Sequence, residues 1–130
     1  MKILDENIPE ADRQLLSVWG IRTKHIGRDI GQQGMKDEGQ IIPMLHSLRQ
    51  AVLFTLDLGF CRKKLCHKKY CIVCLAVGAR EIASYIHRFL GHPAFATKAR
   101  RMGKVARVSE RGIRWWQAGV EKEVAVRWEE

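Results

Sequence analysis

Apolar positions along this 130-residue chain change their spacing repeatedly, and each change predicts an element. Residues 2–5 form a short apolar run that reads as a first strand. Pro9 stands where a helix begins, because a proline lacks an N–H that is not needed there. Ala11, Leu15, Leu16 and Trp19 then recur at helical spacing until Gly20 supplies a left-handed stop. Residues 21–26 alternate, with Ile21, Thr23 and His25 on one face and Arg22 and Lys24 on the other, which predicts a second strand. The glycine-punctuated residues 27–34 form a loop. Ile41, Ile42, Leu45 and Leu48 mark another helix, and Pro43 restricts its regular start to about Gly39 or later.

Residues 51–56 and 70–77 are rich in apolar and β-branched side chains with few charges, as strands buried between two helical layers are. Ile82, Ile86, Phe89 and Leu90 define the inner face of a third helix, which stops at Gly91, His92 and Pro93. The tail reads as strands at 104–108, 113–118 and 124–128. Residues 109–112 make a hairpin-length loop between the first two. The expected class is α/β, one domain over residues 1–130: a core with a central, mainly parallel sheet to about residue 97, then an antiparallel β-meander over about 98–130. There is no internal repeat or low-complexity segment.

Charge separates the halves. Residues 1–60 carry seven Lys/Arg against eight Asp/Glu, whereas residues 61–130 carry sixteen against six, net −1 and +10. A basic half of this kind suits a phosphate backbone, whose counterions are released on binding; a solvated basic surface is the plainer reading. Arg62, Lys63, Lys64, Lys68 and Lys69 form one cluster. Lys98, Arg100, Arg101, Lys104 and Arg107 form another. No secretory leader is evident and no apolar run is long enough to span a bilayer, so a cytoplasmic protein with reduced cysteines and no membrane partner is expected.

Asp5 and Asp57 each end a strand-like run, and in open α/β sheets functional crevices lie beyond the carboxyl ends of the strands. Asp37 precedes the second helix, where a carboxylate either caps the helix or serves a metal; position alone does not decide. Asn7 and Thr55 are placed to orient a ligand carboxylate or a bound water, although a turn before Pro9 and an ordinary strand position are the plainer account of them. Cys61, Cys66, His67, Cys71 and Cys74 invite a zinc reading. That reading fails if Cys71 and Cys74 share a strand, since side chains three apart then point to opposite faces; buried reduced thiols are the expectation. No glycine loop has the lysine and spacing of a nucleotide-binding motif. Trp115, Trp116 and Trp128 could stack on bases, but in the adjacent pair at least one ring must enter the core. His25, His46 and His87 have no evident chemical partner, whereas His67 and His92 sit among basic residues.

The segments Met1-Lys2-Ile3-Leu4-Asp5-Glu6-Asn7-Ile8-Pro9, Lys36-Asp37-Glu38, Phe54-Thr55-Leu56-Asp57-Leu58-Gly59-Phe60, Leu65-Cys66-His67-Lys68-Lys69-Tyr70-Cys71 and Arg100-Arg101-Met102-Gly103-Lys104-Val105 together resemble the bacterial PIN-like proteins, relatives of the PIN-domain toxin ribonucleases. The resemblance implies a Rossmann-like, three-layer PIN core, with Asp5, Asp37 and Asp57, helped by Glu38 or Glu6, holding Mg²⁺ or Mn²⁺ for endonucleolytic cleavage of RNA. It further implies an antitoxin protein as a possible partner and dimerisation as a common state. The chain departs from the family where Asp-x-Asp-Phe becomes Asp57-Leu58-Gly59-Phe60, which removes one carboxylate. Two functions therefore stand side by side: a divalent-metal ribonuclease, and a non-catalytic nucleic-acid or protein-binding module on the same scaffold.

Overall fold

A computed structural model describes residues 1–35 and 38–128. The elements follow in the order β1 (Lys2–Leu4), α1 (Glu10–Val18), β2 (Lys24–His25), α2 (Glu38–Ser47), β3 (Ala51–Thr55), β4 (Tyr70–Ala76), α3 (Ile82–Gly91), α4 (Lys98–Arg101), β5 (Lys104–Ser109), β6 (Gly112–Gln117) and β7 (Val124–Arg127). One seven-stranded sheet has the order β2-β1-β3-β4-β5-β6-β7. Its first five strands are parallel, and β6 and β7 are added antiparallel.

The alternation of side chains along each strand sorts the core into two layers. Leu4, Val52, Phe54, Cys71, Val73, Ala106 and Val108 face α1 and α3, meeting Leu16, Ile82, Ile86 and Phe89. Ile3, Leu53, Ile72, Cys74 and Val105 face the other way, toward Ile41 and Leu45 of α2. Every residue of β3 is buried, as a strand covered on both faces must be. The helix stop at Gly20 takes the predicted form: its φ is +80°, Gly20 N–H donates to the Ser17 carbonyl and Ile21 N–H to that of Leu16.

Two expectations need correction, and a third gains a second pairing. The second strand is only Lys24–His25, because it pairs with just Ile3 and Leu4 of a three-residue neighbour, and Ile21 is drawn into the stop of α1 instead. α2 begins at Glu38, a residue earlier than expected, and Pro43 lies inside it; the Gly39 carbonyl thereby loses its usual donor. β5 opens the expected antiparallel meander by pairing with β6, and it is at the same time the last parallel strand of the core. It pairs parallel with β4 from Ile72↔Val105 to Ala76↔Ser109, so only β6 and β7 are antiparallel additions.

A candidate carboxylate cleft at the end of the parallel strands

Parallel pairing of β1 with β3 brings their carboxyl ends together, and there Asp5 and Thr55 stand side by side. Asp5 is only 4% exposed and Thr55 is fully buried. The Thr55 hydroxyl donates to Asp5 Oδ2 at 2.6 Å, and Glu6 N–H donates to Asp5 Oδ1 at 2.8 Å. Thr55 Oγ1 in turn accepts from Asp57 N–H at 3.0 Å, so one hydroxyl joins the two aspartate segments. Asp5, Glu6, Asn7, Met35 and Asp57 line a cavity of about 440 Å³. Burial pushes the Asp5 carboxyl above its ordinary range; the bonds from Thr55 and Glu6 oppose that rise, and the nearby charges of Asp57 and Glu6 add to it.

The two expected supporting residues take part in this arrangement. Thr55 is the bridge just described, a stronger role than that of an ordinary strand residue. Asn7 Oδ1 accepts from Leu56 N–H at 3.3 Å and ties the loop after β1 to the end of β3. Glu6 accepts from Gly34 N–H at 2.8 Å, which anchors the glycine loop over the cleft.

Of the other expected site residues, Glu38 and one oxygen of Asp57 are already engaged within the protein. Asp37 lies outside the described residues. Glu38 forms an ion pair with Arg62, so the carboxylate expected on a metal and the guanidinium expected on RNA engage each other. Asp57 Oδ1 accepts from Gly59 N–H at 2.8 Å and caps the single 3-10 turn at Leu58–Phe60. Gly59 thus does more than lack a carboxylate, since a Cβ there would lie 2.9 Å from that same oxygen. Among the described residues, no group of three or more His, Cys, Asp or Glu side chains is arranged to hold a metal ion.

The basic clusters are divided by the topology. The segment after Asp57 must return the whole length of the sheet before β4 can run parallel to β3, because Ala51 pairs with Tyr70. Arg62 therefore sits near the cleft, whereas Lys68 and Lys69 are exposed at the opposite, amino-terminal edge. Lys63 pairs with Glu121, and Lys64 is exposed. In the second cluster, Arg101 is a correction: it is 7% exposed and its Nε donates to the Phe95 carbonyl at 2.8 Å, so it pins α4 inward. Lys104 Nζ likewise donates to the Ala94 carbonyl and lies over the Phe95 ring, and Arg100 reaches the Pro93 carbonyl. All three serve the turn at Pro93–Phe95.

Trp115 is the ring of its pair that enters the core, against Phe95, while Trp116 faces the other side. Trp128 donates its indole N–H to the Ser109 carbonyl and receives Arg88 over its face, so it closes the end of β7. Cys71 and Cys74 fall in opposite layers. His25 Nε2 lies 3.1 Å from the Ile8 carbonyl, joining β2 to the loop after β1, and His46 packs edge-on against His67 and Tyr70. The described residues contain no helix long and apolar enough to cross a membrane. Comparison with protein families, curated proteins and solved structures gives no match.

Proposed function

We propose that this protein is a divalent-metal-dependent endoribonuclease of PIN-like type, with Asp5 and Asp57 as its central carboxylates. The observation that carries the reading is a buried aspartate with no ion-pair partner among the described residues, sharing a cavity with a second aspartate at the carboxyl ends of β1 and β3. An ionised carboxylate held out of water is costly unless a counter-charge accompanies it. The donors that line the cleft, Asp5, Glu6 and Asp57, are hard oxygen donors, and Mg²⁺ or Mn²⁺ is satisfied by one or two carboxylates together with water and substrate phosphate. Asp5 and Asp57 supply the one or two carboxylates such an ion asks of a protein, without the group of three or more that the described residues lack.

In this reading Asp5 and Asp57 hold the metal, with Glu6 lining the same cavity and Asp37 a member implied by the family resemblance. The ion would supply polarisation of a scissile phosphate and a lowered pKa for an attacking water. Thr55 fixes the Asp5 carboxylate through a buried hydrogen bond and keeps it from turning away. Asn7 holds the two strand ends in register. Beside a cognate antitoxin, such an enzyme would be the toxin of a pair.

A second reading has its own support. Both Asp5 oxygens and one Asp57 oxygen already accept hydrogen bonds from the protein, and Glu38 is paired with Arg62. Those bonds favour a non-catalytic module that kept the scaffold. Incubation of the purified protein with mixed single-stranded RNAs and Mn²⁺ separates the two. Cleavage that disappears in Asp5→Asn and Asp57→Asn supports the nuclease, and intact RNA across substrates and ions supports the module.

A further inference from the structure

The strand registers set up a row that runs across the sheet beyond the cleft. Thr55 pairs with Cys74, Cys74 with Arg107 and Arg107 with Arg114. Asp5 flanks Thr55 on the other side, so Asp5, Thr55, Cys74, Arg107 and Arg114 occupy successive strands at about 4.8 Å spacing. They also share a face, because residues two apart along these strands, Leu53, Ile72 and Val105, all point into the α2 layer. α2 covers that face over β3 and β4. Over β5 and β6 it ends in solvent, where Arg107 and Arg114 are exposed and Trp116 is partly so.

This half of the sheet is electrostatically unusual. Arg107 and Arg114 are direct cross-strand neighbours, an arrangement of like charges that destabilises a sheet. Glu123 answers only Arg114, at 2.7 Å. Arg107 makes no ion pair among the described residues. With Cys61, Trp116 and Glu123, the two arginines line a cavity of about 340 Å³. Arg62 and Lys63 lie on the loop that borders Cys61, and Lys63 is answered only by the exposed Glu121.

We propose that this open face of β5 and β6 is a track for single-stranded nucleic acid, with Arg107 and Arg114 on phosphates and the Trp116 ring against a base. Two adjacent guanidinium groups that share a single carboxylate, beside a partly exposed indole, match the two features such strands present, a charged backbone and unpaired π-faces. An acidic protein would use the charges but would leave the indole without a stacking partner of this kind. If the nuclease reading holds, the track leads bound RNA past the carboxyl ends of β4 and β3 toward Asp5, since Cys74 and Thr55 in the row itself are buried; that direction rests on the proposed function, whereas binding to the face does not.

The test is binding of a fluorescein-labelled single-stranded RNA in EDTA, which removes cleavage from the readout. Arg107→Ala/Arg114→Ala should weaken binding and lower the slope of log affinity against log salt by about 1.4, the value for two phosphate contacts on a single strand. Trp116→Ala should weaken binding about tenfold or more, with recovery in Trp116→Phe. Lys68→Ala/Lys69→Ala, at the far edge, should bind as wild type. Binding unchanged in the arginine and tryptophan variants, binding lost chiefly in the lysine variant, or no RNA binding by a folded protein overturns the proposal. Failure of RNA cleavage in the metal assay, with this pattern intact, removes the nuclease and leaves the track.

Discussion

Thr55→Val removes a single hydroxyl from the interior at nearly constant shape, and its effect depends on the charge of Asp5. Two hydrogen bonds are lost: the 2.6 Å donation to Asp5 Oδ2 and the 3.0 Å acceptance from Asp57 N–H. A bond to an ionised group contributes about 1.5–3 kcal/mol, and the Asp57 amide about 1 kcal/mol. The added methyl in a fully buried site returns about 0.8 kcal/mol, so the net loss at neutral pH is about 2–3 kcal/mol. The sign with pH follows from the Asp5 shift. Burial raises the folded pKa above its unfolded value, so stability from Asp5 is full below the unfolded pKa and is lost as pH rises through the folded one. Thr55 opposes that rise by bonding the ionised form. Its removal pushes the folded pKa higher still, so the Thr55→Val penalty is greatest above that pKa and shrinks as the carboxyl protonates. Urea unfolding from pH 4 to pH 8 measures this, with Thr55→Ser as the hydroxyl-retaining control. A double-mutant cycle with Asp5→Asn isolates the pair. A penalty independent of pH, or the same with aspartate or asparagine at position 5, would show that Thr55 does not act on the Asp5 charge.

Two further outcomes follow from the packing. Gly112→Ala should cost about 1–3 kcal/mol by urea midpoint, because a Cβ there would stand 1.9 Å from the Val126 carbonyl oxygen and 2.8 Å from Arg127 Cα, backbone atoms that only a shift of β7 can clear; a loss under about 0.5 kcal/mol would contradict this. Iodoacetamide should label Cys61 first in the native protein, since a bond from Cys74 holds its thiol below the usual range and it is partly exposed. Cys71, pushed up to about 12 by burial, should react only on unfolding. Equal labelling of Cys61 and Cys71 in native protein, followed by peptide mass spectrometry, would be the contrary result.

Much of the architecture is legible in local pattern. The apolar runs at β3 and β4 mark buried strands, and the spacing of Ile82, Ile86 and Phe89 marks α3, because burial on two faces or one leaves a direct imprint on residue choice. Asp5 and Thr55 could each be marked as functional candidates, but not as hydrogen-bonded neighbours, since fifty residues separate them and only strand pairing joins them. The same non-local step hides the parallel pairing of β5 with β4. A hairpin signal at 109–112 identifies β6 as the antiparallel neighbour of β5 but is silent about its other edge. The basic residues show the limit most clearly. Lys68 and Lys69 lie a few positions after Arg62 in sequence yet end at the opposite edge of the sheet, and Arg101 turns inward to a carbonyl that a charge count cannot reveal. The Arg107–Arg114 neighbour pair needs the hairpin register, and its alignment with Asp5 needs every register between them.

The cleft's capacity to hold a divalent cation is tested most directly by calorimetric titration of the folded protein with Mn²⁺. Wild type should show one saturable site, lost in Asp5→Asn and in Asp57→Asn, while both variants stay folded and Asp5→Asn gains stability at neutral pH because no charge is buried there. Absence of saturable Mn²⁺ binding by the wild type, or undiminished binding by Asp5→Asn, would contradict the account.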